Sequence, residues 1–310
     1  MKKTLLVILL LSVLGHAIAV DNRFVFPLAQ VKNSQAYTIA VDAGNVLVRN
    51  QYQMWIYSTF NAWQPRLEAS FSSLHPIEDV NMQGGNYLYI SSHEPTNMIT
   101  AIDSLSLYGK MFFTNTVIGD KMTREGSTLY VADRYRGIDI IDVGRGGSSD
   151  LIASFAEKWG IRDFIAQYPY IYALNDFGVV TVDVSQQNFP ISIATNYQIA
   201  NATRLVKDRE YLFVAAGKEL QVISVRDVNS PTLVAQVRLA NDVQGMAIKD
   251  QRLFLALGQG GIKIFDISVA NRLQEINTFY PPFAAFDVAL ENDFIYVAMG
   301  REGWIIYEYR

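Results

Sequence analysis

Short runs rich in Tyr, Phe, Val and Leu, bounded by polar turn residues, begin at Val46, Tyr87, Thr128, Tyr170, Tyr211, Leu253 and Phe294. Successive starts lie 41, 41, 42, 41, 42 and 41 residues apart. Spacing this even implies one supersecondary unit copied in tandem. A chain of 310 residues, half of them apolar, could otherwise be two domains or one array, and the period decides for the array.

Each run is followed by a loop and a second apolar run, clearest at Gly137-Ile138-Asp139-Ile140-Ile141-Asp142-Val143 and Gly261-Ile262-Lys263-Ile264-Phe265-Asp266-Ile267. A shorter run precedes it, as at Asp79-Val80-Asn81-Met82, and a fourth follows, as at Leu233-Val234-Ala235-Gln236-Val237. The unit therefore holds four strands, A to D in chain order. Four strands of about five residues with connections of roughly two to six fill the period without a helix. Strand C reads as unbroken Ile and Val instead of alternating, which suits a sheet covered on both faces by its neighbours.

The two ends complete each other. After Trp304-Ile305-Ile306-Tyr307, the last strand C, the sequence ends at Arg310 with no strand D. Leu28-Ala29-Gln30-Val31-Lys32 echoes Val234-Ala235-Gln236-Val237-Arg238, a strand D, yet precedes the first strand A. The expectation is an all-β fold: a seven-bladed β-propeller of four-stranded antiparallel blades, its ring closed by the N-terminal strand completing the last blade. Residues 20–310 form this single domain.

Residues 1–19 read as a secretory signal peptide: Lys2 and Lys3 precede an apolar run at residues 5–14, and small residues at Ala17 and Ala19 mark a cut after Ala19. The run is shorter than the roughly 20 residues that span a bilayer, so no transmembrane segment is expected after cleavage. The expected location is exported, either periplasmic or secreted and cell-surface. No cysteine is present, so neither a lipidated Cys nor a disulfide contributes and stability rests on packing. Without Lys2 and Lys3 the chain has 24 basic against 30 acidic residues, a net charge of −6 that argues against a nucleic-acid partner.

The strands resemble those of the LVIVD-repeat proteins, a family of exported and cell-surface propellers with no generally assigned activity. The resemblance is carried by Leu129-Tyr130-Val131-Ala132-Asp133 with residues 137–143, and by residues 220–237 with their Asn229-Ser230-Pro231 turn. The Asp closing strand C is present as Asp103, Asp142, Asp183 and Asp266, while Tyr57, Ser224 and Glu308 replace it elsewhere. Each such Asp precedes a turn whose N–H groups a carboxylate can accept, a structural use. The recurrent Tyr and Phe of strands B are read as packing between blades.

Two residue sets are candidates for function. In a four-stranded blade the B–C loops and D–A connections leave one end of the sheet, and they carry His93, Glu94, Arg134, Tyr135, Arg136, Trp159, Asp176 and Arg301, with His75, Glu78, Phe283 and Glu302 beside them. Aromatic and Arg anchors with charges make a binding surface for a protein or glycan partner. Near the starts of strands A lie Asp79, Asp120, Asp163, Arg204 and Asp287, which would ring the mouth of a central channel and could hold a cation or small polar ligand. His75 and His93 match no metal-ligand spacing, and neither a metal nor a cofactor is expected. No nucleophile elbow, P-loop, zincin helix or EF-hand loop occurs. The leading expectation is a non-catalytic binding or scaffold module; the alternative is a hydrolase or lyase using the channel-mouth acids.

Overall fold

A computed structural model describes residues 18–20, 23–82, 87–92, 98–103, 119–133, 135–144, 150–156, 160–196, 199 and 201–310. Every regular element among them is a β-strand, and each sheet is an antiparallel meander. By its internal contacts the chain divides into two units, one of Met1–Asn50, Trp55–Glu68 and Ala240–Arg310, the other of Gln51–Met54 and Ala69–Leu239.

In the first unit, Gly245–Lys249, Arg252–Ala256, Ile262–Asp266 and Gln274–Phe279 form strands A to D of one blade. The last blade has strands A to C at Asp287–Glu291, Phe294–Ala298 and Trp304–Tyr309, and its fourth strand is Arg23–Val31 from the other end of the chain. A short strand, Ile18–Val20, pairs outside Arg23–Val31, and the expected cut after Ala19 falls within it. The first blade of the sequence comprises Thr38–Asp42, Asn45–Arg49, Gln53–Ser58 and Arg66–Ser72.

In the second unit, complete blades occupy Lys121–Glu125 with Thr128–Asp133, Gly137–Asp142 and Asp150–Ala156; Asp163–Gln167 with Tyr170–Leu174, Val179–Asp183 and Ile191–Asn196; and Arg204–Asp208 with Tyr211–Ala216, Glu219–Ser224 and Thr232–Arg238. The sheet of Ile77–Asn81, Tyr87–Ser92 and Met98–Asp103 has three strands. Among the described residues six blades therefore carry a full set of strands rather than the expected seven, and residues 104–118, which follow Met98–Asp103, lie outside the described ones.

Burial follows strand position. Strands B and C are buried along almost their whole length, as in Thr128–Asp133 and Val179–Asp183, whereas strand D alternates exposed and half-buried residues, as in Thr232–Arg238. That is the pattern of inner strands covered on both faces and an edge strand packed on one. Side chains from adjoining blades build the cores: Tyr130, Ile138 and Ile140 pack with Phe164, Ile171 and Val180, and Phe254 and Ile264 pack with Val288, Ile295 and Ile305. Mid-strand aromatics Tyr130, Tyr172, Phe213, Phe254 and Tyr296 are all buried.

Three details make Arg23–Val31 a true strand D. A β-bulge interrupts C–D pairing in four blades, and the skipped residue is Ile152, Ile193, Val234 or Ile276; in the last blade it is Leu28. The echo of residues 28–32 with 234–238 is thus an echo of bulge register. Ala285 bridges Gly258 in the B–C loop of the preceding blade, and Ala36, just after the N-terminal strand, bridges Gly300 in the same way. Phe24 and Arg310 also exchange both main-chain hydrogen bonds, at 2.7 and 3.1 Å.

The Asp that closes strand C accepts a turn N–H as expected: Asp142 from Gly144 at 2.8 Å, Asp183 from Ser185 at 2.7 Å and Asp266 from Ser268 at 2.8 Å. Where Ser224 replaces it, the hydroxyl oxygen accepts from Arg226. Tyr57, the substitute in the first blade, is buried edge-on against Trp304 with ring centres 5.2 Å apart.

Candidate functional site

The position in strand A that pairs with the fifth residue of strand B is filled by Asp79, Lys121, Asp163 and Arg204 in the second unit and by Gly245, Asp287 and Thr38 in the first. Asp120 lies one residue outside this register; its N–H donates to Ala132 and its neighbour Lys121 takes the equivalent place. Acid and base alternate along the second unit. A one-residue slip moves a strand side chain to the opposite face, which is why choosing Asp120 misses Lys121.

Three of the acids hold adjoining blades together. Asp79 Oδ2 accepts the N–H of Met122 at 2.7 Å, Asp163 Oδ2 that of Leu205 at 2.9 Å, and Asp287 Oδ2 that of Ile39 at 3.1 Å. Each acceptor reaches the second residue of the next strand A. The other oxygen of Asp163 and of Asp287 accepts from the following residue, Phe164 or Val288. Burial pushes the Asp163 carboxyl above the ordinary aspartate range, opposed by the charges of Lys121 and Arg204 and by these N–H donors. Gly245 lies so close to Asp287 that a β-carbon there would overlap it. Asp287→Ala removes the acceptor of Ile39 and is expected to cost about 1–3 kcal/mol. Asp287→Asn, which keeps an oxygen, should cost less, and urea denaturation of both variants measures the difference.

At the B–C end, Asp133 shapes the loop. Its Oδ1 accepts from Tyr135 at 2.6 Å and Arg136 at 2.8 Å, and this turn leaves Tyr135 76% exposed. Asn175 does the same one blade later for Phe177 and Gly178, and Asp176 pairs with Arg162 at 2.6 Å. In the first unit, Tyr37 packs edge-on against Phe286 at 5.1 Å, Tyr280 and Phe283 are exposed, and Arg301 and Glu302 are exposed on the neighbouring B–C loop. His93, Glu94, Arg134 and Trp159 lie outside the described residues. The His75 N–H donates to Ser73 Oγ at 3.2 Å. Among the described residues no group of three or more His, Asp or Glu could hold a metal, and no helix is long and apolar enough to cross a membrane.

Residues that the sequence reading passed over lie at the opposite strand ends. Tyr168, in an A–B turn, and Phe189, in the C–D loop of the same blade, flank a cleft of about 560 Å³. Their signal in the sequence is that they depart from what other copies place in the same turns.

Sheets of this connectivity, packed blade on blade, define a β-propeller. Within it, residues 125–154 match the LVIVD repeat, spanning the end of strand A through most of strand D of one blade. The fold is similar to a chain in the crystal structure of the mitotic checkpoint complex, at 12% identity and a TM-score of 0.72, with 92% of this chain and 93% of that one covered. It is also similar to the computationally designed Ika8 protein, at 8% identity and a TM-score of 0.63, covering 91% and 99%. At such identities the likeness is one of fold alone. No curated protein sequence matches the chain.

Proposed function

We propose that the protein is an exported, non-catalytic binding or scaffold propeller that uses its B–C loops and D–A connections to hold a protein or glycan partner. The proposal retains seven blades on the strength of the repeat period, the sheet containing Ile77–Asn81 being one of them. The observation that carries it is the use of the strand-A acids. Asp79, Asp163 and Asp287, the residues a channel-mouth hydrolase or lyase would need, are committed to main-chain N–H groups of the next blade. Tyr135 and Arg136, by contrast, are projected outward from a turn fixed by a buried Asp133. An exposed aromatic beside an Arg on a rigid turn is the composition of a binding anchor.

Affinity capture from a periplasmic or culture fraction tests this reading. The wild-type protein should retain a partner that Tyr135→Ala/Arg136→Ala loses, with both proteins melting within about 2 °C of each other, as surface substitutions allow. The same partners on both proteins would reject the loop assignment. Loss of a hydrolase or lyase activity in a folded Asp163→Asn variant would favour the enzyme instead.

A further inference from the structure

We infer that the cleft between Tyr168 and Phe189 is a carbohydrate-binding subsite, separate from the loops proposed above and at the other end of the same strands. Its lining is completed by Ser185, Gln186, Gln187 and Asn188, so it offers hydroxyl and amide groups and no charged side chain. A volume of about 560 Å³ lies in the range of small-ligand sites. Both rings face solvent, Tyr168 at 56% and Phe189 at 70% exposure.

The repeat shows that the fold does not require the Phe189 ring. The turn bearing Phe189, closed by its N–H to Gln186 O at 2.8 Å, recurs with Ser230 donating to Asp227 O and Arg272 donating to Val269 O. Each is preceded by Asn, at Asn188, Asn229 and Asn271, so the turn is kept while the next side chain changes. Tyr168 stands where the later copies have Arg209, Asp250 and Asn292. Phe189 is thus an exposed ring on a turn that polar residues form equally well, whereas Tyr168 sits in a turn of its own, since Arg209, Asp250 and Asn292 have φ of +48° to +49° and Tyr168 does not share that left-handed backbone.

Tyr168 and the loop bearing Phe189 are each tied down. The Tyr168 N–H donates to Glu125 Oε2 at 2.9 Å, its hydroxyl donates to Ser185 O at 3.3 Å, and Gln187 donates to Thr128 Oγ1 at 3.3 Å. Ring faces offer apolar area to the C–H face of a pyranose, and neutral amides pair with its hydroxyls without desolvating a charge. An anionic or cationic ligand would find no counter-charge in the lining. The C–D loop of the first blade repeats this composition independently, with Phe60 and Trp63 exposed beside Asn61 and Gln64.

The test is calorimetric titration of the full chain with cellohexaose, chitohexaose, xylohexaose and maltohexaose, repeated with Phe189→Ser and Tyr168→Asn. Ser230 occupies the place of Phe189 in another copy of the same turn, so Phe189→Ser should fold and melt as the wild type does, and the melting temperature of Tyr168→Asn is read alongside its affinity. At least one hexaose should bind the wild type, with affinity falling tenfold or more in each variant and unchanged in Val269→Ala, an exposed residue in the C–D loop of another blade. Absence of binding for all four, or binding that survives Phe189→Ser, would overturn the inference. Its failure leaves the loop proposal intact, because Tyr135 and Arg136 are untouched.

Discussion

Deleting residues 24–32 is expected to prevent stable folding, or to lower the melting temperature by roughly 15 °C or more, far beyond the effect of trimming a loose terminus. The segment is strand D of the last blade. Its loss strips Trp304–Tyr309 of one row of main-chain partners, from Val25 opposite Tyr309 to Val31 opposite Trp304. It also takes Val25 and Leu28 out of two inter-blade cores, at about 1.5–3 kcal/mol for each buried side chain. Trp304 and Ile306, buried in the second of these cores, would become an edge open to pairing with other molecules. Circular dichroism melting of the truncated protein reads the effect. A melting temperature within a few degrees of the intact chain would contradict the shared blade.

Gly303→Ala tests the same junction with one methyl group and is expected to cost about 3 kcal/mol or more. Gly303 has a φ of +84°, and a β-carbon there would overlap the carbonyl oxygen of Val31. Both obstacles are main chain, so no side-chain rotation relieves them. The preceding blade contains the same arrangement within itself: Gly261, at φ +72°, sits against the carbonyl of Phe279 at the end of its own strand D. Gly126→Ala is the control. It shares a positive φ of +60° but has nothing near the added carbon, so it should lose only about 1 kcal/mol. Equal small losses in urea denaturation of the two variants would mean that Val31 does not lie against Gly303 in solution.

Most of the fold was legible because its signals are repeated. Strands B and C are buried throughout, so their Ile, Val, Tyr and Phe run unbroken and the 41-residue period stands out. The N-terminal strand was recognisable because a strand D carries an aliphatic residue at its bulge, and Leu28 occupies that place as Val234 does. Strand A was harder to place. Lys121–Glu125 and Arg204–Asp208 each bury a single residue, too little to fix a register, and the slip from Lys121 to Asp120 follows. The role of Asp79, Asp163 and Asp287 was hidden for another reason: their partners are backbone N–H groups about 40 residues or more away, which carry no sequence signature. Tyr168 and Phe189 were missed because aromatics in a β-rich chain read as packing, and only comparison of aligned turns reveals that the repeat does not need Phe189.

Native-state hydrogen exchange, followed amide by amide, tests the shared blade most directly. Amides of Arg23–Val31 that pair with Trp304–Tyr309 should be protected to the same degree as their partners and as Phe294–Ala298, opening only with the unit as a whole. Exchange of residues 24–31 orders of magnitude faster than 304–309 would show that the N-terminal strand is not part of the last blade.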